Sequence, residues 1–512
     1  MDKTIKPYNI REYDSPEILK SNSGDDLNKD EIGEFKKYLV GIWENYKENK
    51  LFLYDKHIED DEMYDSEDDL AEKNNNSYQP FFTFDGSKIR AKNYIGVVQC
   101  NGIRINIYPK IFDKSLLEVF NSDIETDQIK LTKRYIYDHI LFWFSKCERF
   151  KFPFSKSDPD HQDFDNVLDI MIYIYCMKTL EAINSCSYYQ YSEITEESEF
   201  LRGKLEINEY LKNISRGKEH KLVVTYNPFT YNNLLNKIIK YTTKLLSQYS
   251  TNSFVNKKLN EILFLLDEVD DDNVVSADCD KVKLNSFQDD YDVVLSLSKM
   301  FLSSQMVSVY NTSTDNICFL IPMEYVFEDF IATILKEHCS EYKVITQDRS
   351  RKLAFQDKMK SKDGKNEPDT FSIRPDIFLK HKIHEEKDII LDTKYKIRES
   401  KQSKEISQAD VYQMFAYSLI HGCDNICLLY PSNNGSINNN KAEFWIRKDK
   451  ETNGKIDLIN LKAYNLPITV DFKIHNDKQQ DLTVIIKDNL KNAFDKIFED
   501  FESEKQQESE VL

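Results

Sequence analysis

The fold is decided by two segments, FSIRPDIFL at residues 371–379 and ILDTKYK at residues 390–396. Each segment carries a short apolar run, which predicts two neighbouring β-strands. In the second segment Asp392 and Lys394 are two residues apart, so their side chains share one face of that strand. A carboxylate and an ammonium in an apolar strand are costly to bury unless both have partners. The pattern therefore favours a functional site at this point.

A second carboxylate, Asp376, stands at the start of the first apolar run. Two carboxylates that converge at strand ends form a hard-oxygen site suited to Mg²⁺, with Mn²⁺ as a substitute. Lys394 beside them would orient or deprotonate a water molecule, or neutralise charge that develops on a phosphate. This is the PD-(D/E)xK phosphodiesterase pattern. The motif alone leaves an alternative open, in which the three side chains form a surface salt-bridge set on an edge strand.

The segments around the motif strengthen the nuclease interpretation. A helix is predicted over Met323–Leu335 with Glu328 on it, and Glu328 would reach a metal directly or through water. A second helix is predicted over Gln408–Ile420, where Gln413 and Tyr417 lie on one face, as in a subset of nucleases related to RecB. We expect both side chains in the catalytic site. The alternatives are a solvated helix surface for Glu328 and plain helix packing for the other two.

Composition limits the classes of function. The 512 residues carry a formal net charge of −19, which argues against a nonspecific nucleic-acid coat protein. Residues 348–404 hold 16 Lys and Arg against 11 Asp and Glu, a local net charge of +5, and a basic segment at 348–370 predicts either a contact with DNA phosphates or a solvated loop. No uncharged apolar stretch approaches the roughly 18 residues that span a bilayer, and the first residues do not resemble a secretory signal. We therefore expect a cytoplasmic protein without a membrane contact, whose nine cysteines are reduced, buried thiols.

Changes in periodicity divide the chain. We expect an α+β multidomain protein, in which a β-rich and helical N-terminal region precedes an α/β restriction-endonuclease-like domain of the PD-(D/E)xK type. Asn101-Gly102 between two alternating apolar runs predicts a hairpin, and NTSTDN at 311–316 predicts a domain boundary. The predicted parts are a variable extension with a loose start and an acidic linker (1–80), a β-rich region (81–125), a mainly helical middle region (126–310), the nuclease domain (311–497) and a disordered tail (498–512).

No phosphate-binding G-x-x-x-x-G-K-[ST] loop occurs in the sequence, so a nucleotide-driven motor would have to be another subunit. Beyond the motif, the chain resembles McrC, the nuclease subunit of the McrBC 5-methylcytosine restriction system. The resemblance is carried, in the order of that family, by IGVVQCNGIRINIYPKIF (95–112), EITEESEFLRGKLEI (193–207), TYNPFTYNNLLNKIIKYTTKLL (225–246), PMEYVFEDFI (322–331), FSIRPDIFL (371–379), LDTKYK (391–396) and DVYQMFAY (410–417).

This resemblance implies a defence protein that cleaves double-stranded DNA with Mg²⁺. It further implies that the N-terminal part, with residues 81–125, docks onto an oligomeric McrB-like AAA+ GTPase, which binds the GTP. Asp376, Asp392 and Lys394 take the catalytic positions of the family. Two other functions stay open at this point: a non-catalytic regulator that stimulates nucleotide hydrolysis by its partner, and a free-standing nuclease that acts on DNA ends.

Three further basic residues, Lys110, Arg202 and Lys204, lie in the segments that carry the resemblance. They predict contacts with the motor or with DNA. Structural ion pairs are the alternative for all three.

Overall fold

The computed structural model describes residues 7–14, 17–18, 29–49, 79–85, 88–101, 103–119, 127–148, 164, 166–191, 193–250, 252–284, 288, 290–306, 316–348, 350–352, 372–398, 406–433, 441–452, 455–475 and 481–510. Within these residues the strands are β1 (Pro7–Arg11), β2 (Glu17–Ile18), β3 (Phe82–Asp85), β4 (Lys88–Ala91), β5 (Tyr94–Cys100), β6 (Ile103–Tyr108), β7 (Gln190–Tyr191), β8 (Ile194–Ser198), β9 (Lys204–Leu205), β10 (Leu222–Tyr226), β11 (Phe229–Thr230), β12 (Ile317–Pro322), β13 (Tyr342–Thr346), β14 (Arg351–Lys352), β15 (Ser372–Ile373), β16 (Ile377–His381), β17 (Ile389–Thr393), β18 (Asn425–Ser432), β19 (Ala442–Thr452) and β20 (Lys455–Pro467).

The helices of the same residues are α1 (Lys29–Asn49), α2 (Lys114–Glu118), α3 (Asp127–Lys146), α4 (Val167–Ser185), α5 (Ile207–Ser215), α6 (Leu234–Tyr249), α7 (Ser253–Leu265), α8 (Asp290–Met306), α9 (Met323–His338), α10 (Gln408–His421), α11 (Phe472–His475) and α12 (Leu482–Glu510). Short 3₁₀ turns cover Ser276–Lys281 and Glu385–Lys387. The chain therefore mixes helices and sheets, as the sequence predicts.

The first sheet has the strand order β1-β6-β5-β12. β5 and β6 form the predicted antiparallel hairpin, and Asn101 at its turn has a positive φ of 51°, which asparagine tolerates better than most residues. β1 pairs with β6 in parallel, so Arg11 lies opposite Tyr108 and both strands end at the same edge. The prediction of a loose start over residues 1–30 is therefore wrong for Pro7–Arg11, because a polar segment can still be held by backbone pairing.

The fourth strand of this sheet comes from beyond the predicted domain boundary. β12 pairs antiparallel with β5, with Pro322 opposite Tyr94, and its six residues are all buried. Residues 311–315 of the predicted boundary lie outside the described residues. Because β12 completes the first sheet, the second sheet and its helices begin with α9.

The middle region contains the predicted helices, with α4 packed against α7 and α8. It is less purely helical than the sequence predicts, since β8, β10 and β9 form a small antiparallel sheet on which α5 packs. The strand ITEES is short and mostly exposed, and the strand LVVTY is short with two successive buried valines, so neither gives a clear alternating signal. Helix α3 also bonds directly to the segment after β20, where Trp143 Nε1 donates to Ile468 O at 3.0 Å. The predicted helical middle region (126–310) and the predicted nuclease domain (311–497) are therefore in direct contact.

The second sheet has the strand order β13-β16-β17-β18-β20-β19. β17, β18 and β20 run parallel, and the remaining pairs are antiparallel. Successive side chains of a strand point to opposite faces. Accordingly Leu391 joins a core with α9 and α12, while Ile390 joins a second core with Met414 of α10. Helices therefore cover both faces of this sheet, in agreement with the predicted α/β arrangement.

The C-terminal segment also departs from the sequence prediction. Helix α12 runs to Glu510, whereas a disordered tail is predicted over 498–512. Phe501 is buried, and the residues after it are mainly Glu, Gln, Lys and Ser. Glu, Gln and Lys are good helix formers, so they extend a helix that the core already anchors. Residues 511–512 lie outside the described residues.

Two further expectations concern the state of the cysteines and the possibility of a membrane span. Eight of the nine cysteines are buried free thiols and Cys186 is exposed, which confirms the prediction of reduced, buried thiols for all but one. Burial raises the pKa of the Cys100 thiol to about 12, as it does for an inert buried thiol. Among the described helices, none combines the length and the apolar character that crossing a membrane requires.

Candidate active site

The proposed catalytic strand lies inside the second sheet. β17 is hydrogen-bonded to β16 on one side and to β18 on the other, and Asp392 near its end is 1% exposed. Lys394 follows the strand, and its Nζ lies 2.8 Å from Asp392 Oδ2. The alternative of a surface salt-bridge set on an edge strand is therefore wrong about the location, although the ion pair itself is present.

Asp376 lies just before β16 and is 6% exposed. Its Oδ2 accepts hydrogen bonds from the backbone N–H of Thr393 at 2.9 Å and from Thr393 Oγ1 at 2.7 Å. Thr393 stands between Asp392 and Lys394 in the chain. The antiparallel pairing of β16 with β17 thus brings the start of one strand to the end of the other, and unites the three residues that the motif predicts.

Gln413 and Tyr417 join the same site from helix α10. This helix is capped by the Ser407 hydroxyl, which accepts from Asp410 N, and it ends at Gly422 with a φ of 68°. Lys394 Nζ donates to Gln413 Oε1 at 2.8 Å, and Gln413 Nε2 donates to Tyr417 Oη at 2.8 Å. The Tyr417 hydroxyl in turn donates to the carbonyl of Arg374 at 3.0 Å. The chain of bonds runs from the lysine back to the segment that carries Asp376, so these two side chains do more than pack.

The surroundings of Lys394 keep it charged. Burial alone would lower its pKa, but the carboxylates of Asp392, Asp376 and Asp410 oppose this, and the net pKa lies above the usual value for lysine. Asp410 Oδ1 is 3.8 Å from Lys394 Nζ, and Asp410 Oδ2 is 3.8 Å from Lys396 Nζ. Sequence reasoning missed Asp410, although its position three residues before Gln413 on the same helix was a usable signal.

Glu328 of α9 is buried and approaches the site through one intermediary. Gln347 Nε2 donates to Glu328 Oε1, and Gln347 N donates to the carbonyl of Asp376 at 3.0 Å. Gln347 has a positive φ of 53°, an uncommon conformation for glutamine. The solvated-helix alternative for Glu328 is therefore wrong. Nothing in the sequence marks Gln347, because its role depends on a backbone conformation.

The donor set suits a hard divalent cation. Asp376 and Asp392 are both more than nine-tenths buried, and both carboxylates oppose the lowering of the Lys394 pKa by burial. Within the described part of the chain, no three Asp, Glu, His or Cys side chains form a ready-made metal cage. Mg²⁺ commonly takes only one or two carboxylates and completes its shell with water and substrate phosphate, so two carboxylates are compatible with it.

The three basic residues lie in different surroundings. Lys110 is half-buried and donates to Asn93 Oδ1 at 2.7 Å, whereas Arg202 and Lys204 are exposed. Lys204 Nζ is 2.9 Å from Glu206 Oε1. The ion-pair alternative thus accounts for Lys204, and contacts with a motor or with DNA stay predictions. Of the basic segment, residues 349 and 353–370 lie outside the described residues.

A family model described as McrBC 5-methylcytosine restriction system component matches residues 89–431. The chain belongs to this family. The match spans the hairpin of the first sheet, the middle region and the site from Glu328 to Tyr417. The resemblance deduced from the sequence motifs is therefore confirmed. No curated protein matches the chain.

Two solved structures match this chain. One is a chain of the refined half-complex from the tetradecameric assembly of Thermococcus gammatolerans McrB AAA+ hexamers with bound McrC, with a TM-score of 0.55, 15% identity, 95% of this chain and 100% of that chain covered. The other is in the cryo-EM structure of the Thermococcus gammatolerans McrBC complex, with a TM-score of 0.40, 17% identity, and coverages of 66% and 89%. The first supports the overall fold described above.

Proposed function

We propose that this chain is the endonuclease subunit of a McrBC-like restriction complex, and that it hydrolyses DNA phosphodiester bonds with Mg²⁺ when assembled on an AAA+ GTPase. The observation that carries the proposal is the buried set of Asp376, Asp392 and Lys394 at the end of a central strand, tied to Gln413 and Tyr417. This is the arrangement expected of a PD-(D/E)xK nuclease, in a chain that belongs to a restriction family.

Each side chain has a defined part in the proposed hydrolysis, in which a water oxygen bonds to phosphorus and one phosphorus–oxygen ester bond breaks. Asp376 and Asp392 would hold Mg²⁺, which when bound polarises the phosphate and lowers the pKa of a water ligand. Thr393 fixes the orientation of Asp376 through two hydrogen bonds. Lys394 supplies positive charge next to the phosphate oxygens. Gln413 and Tyr417 fix the direction of its ammonium group.

A partner is supported by exposed apolar side chains in the middle region. Phe200 and Leu201 are 69% and 64% exposed, and they precede β9 in the small sheet. On α5, Ile207 and Leu211 are 63% and 55% exposed and lie one turn apart on the same face. Apolar groups that cluster on a surface commonly mark protein contacts. The hairpin of β5 and β6 is largely buried and leaves little apolar surface for a partner. Within the N-terminal half we therefore propose the small sheet of β8, β10 and β9, together with α5, as the surface that meets the AAA+ partner.

The experiment is cleavage of plasmid DNA, with and without cytosine methylation, by this chain with and without the AAA+ partner, GTP and Mg²⁺. The test variant is Asp392→Asn, which removes the charge at nearly constant volume. The matched control is Asp488→Asn, which removes a carboxylate from the exposed side of α12. We expect the wild type and the control to cleave only when partner, nucleotide and metal are all present, and Asp392→Asn to be inactive.

Binding of the partner is measured in parallel by size-exclusion chromatography and by the stimulation of GTP hydrolysis. Asp392→Asn should bind and stimulate as the wild type does. If wild type never cleaves but stimulates hydrolysis, the chain is the regulatory subunit instead. If it cleaves equally well without partner, the free-standing nuclease is the correct interpretation.

A further inference from the structure

One edge of the first sheet lies against the proposed catalytic segment. Because β1 and β6 are parallel, Glu12 and Lys110 follow their ends at the same edge. β5 runs the other way, so Asn93 precedes it at this edge, and β12 ends there and leads into α9. The register of four strands thus gathers Glu12, Lys110, Asn93 and Glu324 from distant parts of the sequence.

These residues bind Tyr395, the residue after Lys394. The Tyr395 hydroxyl donates to Glu12 Oε2 at 3.0 Å, and the same oxygen accepts from Lys110 N at 3.0 Å. The Lys110 ammonium lies 4.3 Å from the ring centroid of Tyr395 and 4.7 Å from that of Tyr13. A cation within about 6 Å of an aromatic face is attracted to it. Both the ring and the hydroxyl of Tyr395 are therefore held by the first sheet.

The same network reaches the helix that carries Glu328. Lys110 Nζ donates to Asn93 Oδ1 at 2.7 Å, and Asn93 Nδ2 donates to Glu324 Oε1 at 2.6 Å. Glu324 is one turn before Glu328 on α9, and Met323 N donates to the carbonyl of Asn93 at 3.0 Å. Lys110 thus links Tyr395, which follows strand β17, to helix α9, which carries Glu328.

We propose that Lys110 and Glu12 are positioning residues, which hold the segment after β17 so that the Lys394 side chain meets Asp392 and Gln413. This inference rests on the proposed nuclease function. Lys110 and Glu12 do not touch the reacting groups themselves; they act through Tyr395. Glu12 lies before the part of the chain that matches the family model, so it is a feature of this chain beyond that match.

The test compares Lys110→Met, Lys110→Arg and Tyr395→Phe with the wild type in the assembled complex. Lys462→Met is the control, because Lys462 also has its ammonium over a ring, 4.3 Å from the centroid of Phe501, but it lies on β20, which contributes none of the proposed site residues. The first readout is the single-turnover cleavage rate at saturating Mg²⁺. The second is hydrogen exchange in the peptide around Lys394, whose backbone N–H donates to Leu429 O at 2.8 Å.

We expect Lys110→Met to slow cleavage by about tenfold to a hundredfold, as misplacement of a reacting group does, and to speed exchange around Lys394. Lys110→Arg keeps a cation over the ring and should restore much of the cleavage rate and of the protection from exchange. Tyr395→Phe loses only the bond to Glu12, so its cleavage rate and protection should lie between those of the wild type and of Lys110→Met. Lys462→Met should leave both readouts unchanged after correction for its melting temperature. Wild-type rates and protection in Lys110→Met would overturn the proposal, as would equal losses in Lys110→Met and Lys462→Met without rescue by arginine. If wild type fails to cleave, the nuclease function is refuted, and the exchange data alone decide whether the network holds this segment.

Discussion

Glu12 makes the stability of this protein depend on pH in a defined direction. Its side chain is 1% exposed, and burial raises its pKa to about 7, against the opposing charge of Lys110 and the hydrogen bonds from Lys110 N and Tyr395. The carboxylate of Glu324 raises it further. Glu12 Oε1 is also buried without a hydrogen-bond partner among the described residues, which suits a protonated acid better than an anion.

The direction of this pH dependence follows from the linkage between folding and proton binding by Glu12. The folded state holds the Glu12 proton up to about pH 7, whereas an unfolded chain releases it near 4.5, so the stabilisation is complete below pH 4.5 and is lost as pH rises through 7. At roughly 1.4 kcal/mol per pH unit, the difference is about 3 kcal/mol in full, and most of it falls between pH 5 and pH 8. Glu12→Gln has nearly the same shape and does not titrate, so it should avoid this loss.

The assay is the melting temperature of the wild type and of Glu12→Gln at a series of pH values from 5 to 8. We expect Glu12→Gln to gain on the wild type by a few degrees as pH rises across this range. Tyr395→Phe removes a hydrogen bond that lowers the Glu12 pKa, so in that variant the loss of stability should move to higher pH. Parallel curves for wild type and Glu12→Gln over the whole range would refute the reasoning, because they would mean that Glu12 does not change its protonation on folding.

Three further predictions concern the sheet and the site. Gly96→Ala should destabilise the fold by about 3 kcal/mol or more, since Gly96 has a φ of 137° and an added Cβ would lie 1.9 Å from Phe319 O; thermal unfolding measures this. Thr393→Val should cost about 1–3 kcal/mol and slow cleavage, because it removes the 2.7 Å bond to Asp376, whereas Thr393→Ser should behave as the wild type in both assays. Gln413→Met should slow single-turnover cleavage with little change in melting temperature, because it frees the ammonium of Lys394 without opening a core; an unchanged rate would contradict its orienting role.

The sequence predicts the elements around the motif and several of the residues that meet there, but not Asp410 or Gln347. Strands β16 and β17 and helix α10 have clear apolar periodicity, which predicts Asp392 and Lys394 at one strand and Gln413 on the helix that follows. β20 was missed because its buried residues include Lys462, whose Nζ donates to Asp500 O at 2.6 Å. A polar residue with a buried partner cannot be told from a solvated one by periodicity, since the partner lies on another element.

The network around Lys110 lay beyond sequence reasoning for a related reason. Glu12 and Tyr395 are 383 residues apart, and their contact exists because a five-residue strand pairs in parallel with β6. Local patterns predict strands, but they do not predict which strand becomes the neighbour of which. Since the register of the first sheet decides what surrounds Tyr395, the two sheets are coupled at the proposed active site. A perturbation of the first sheet is therefore expected to reach Lys394 through Tyr395, without any change in the catalytic segment itself.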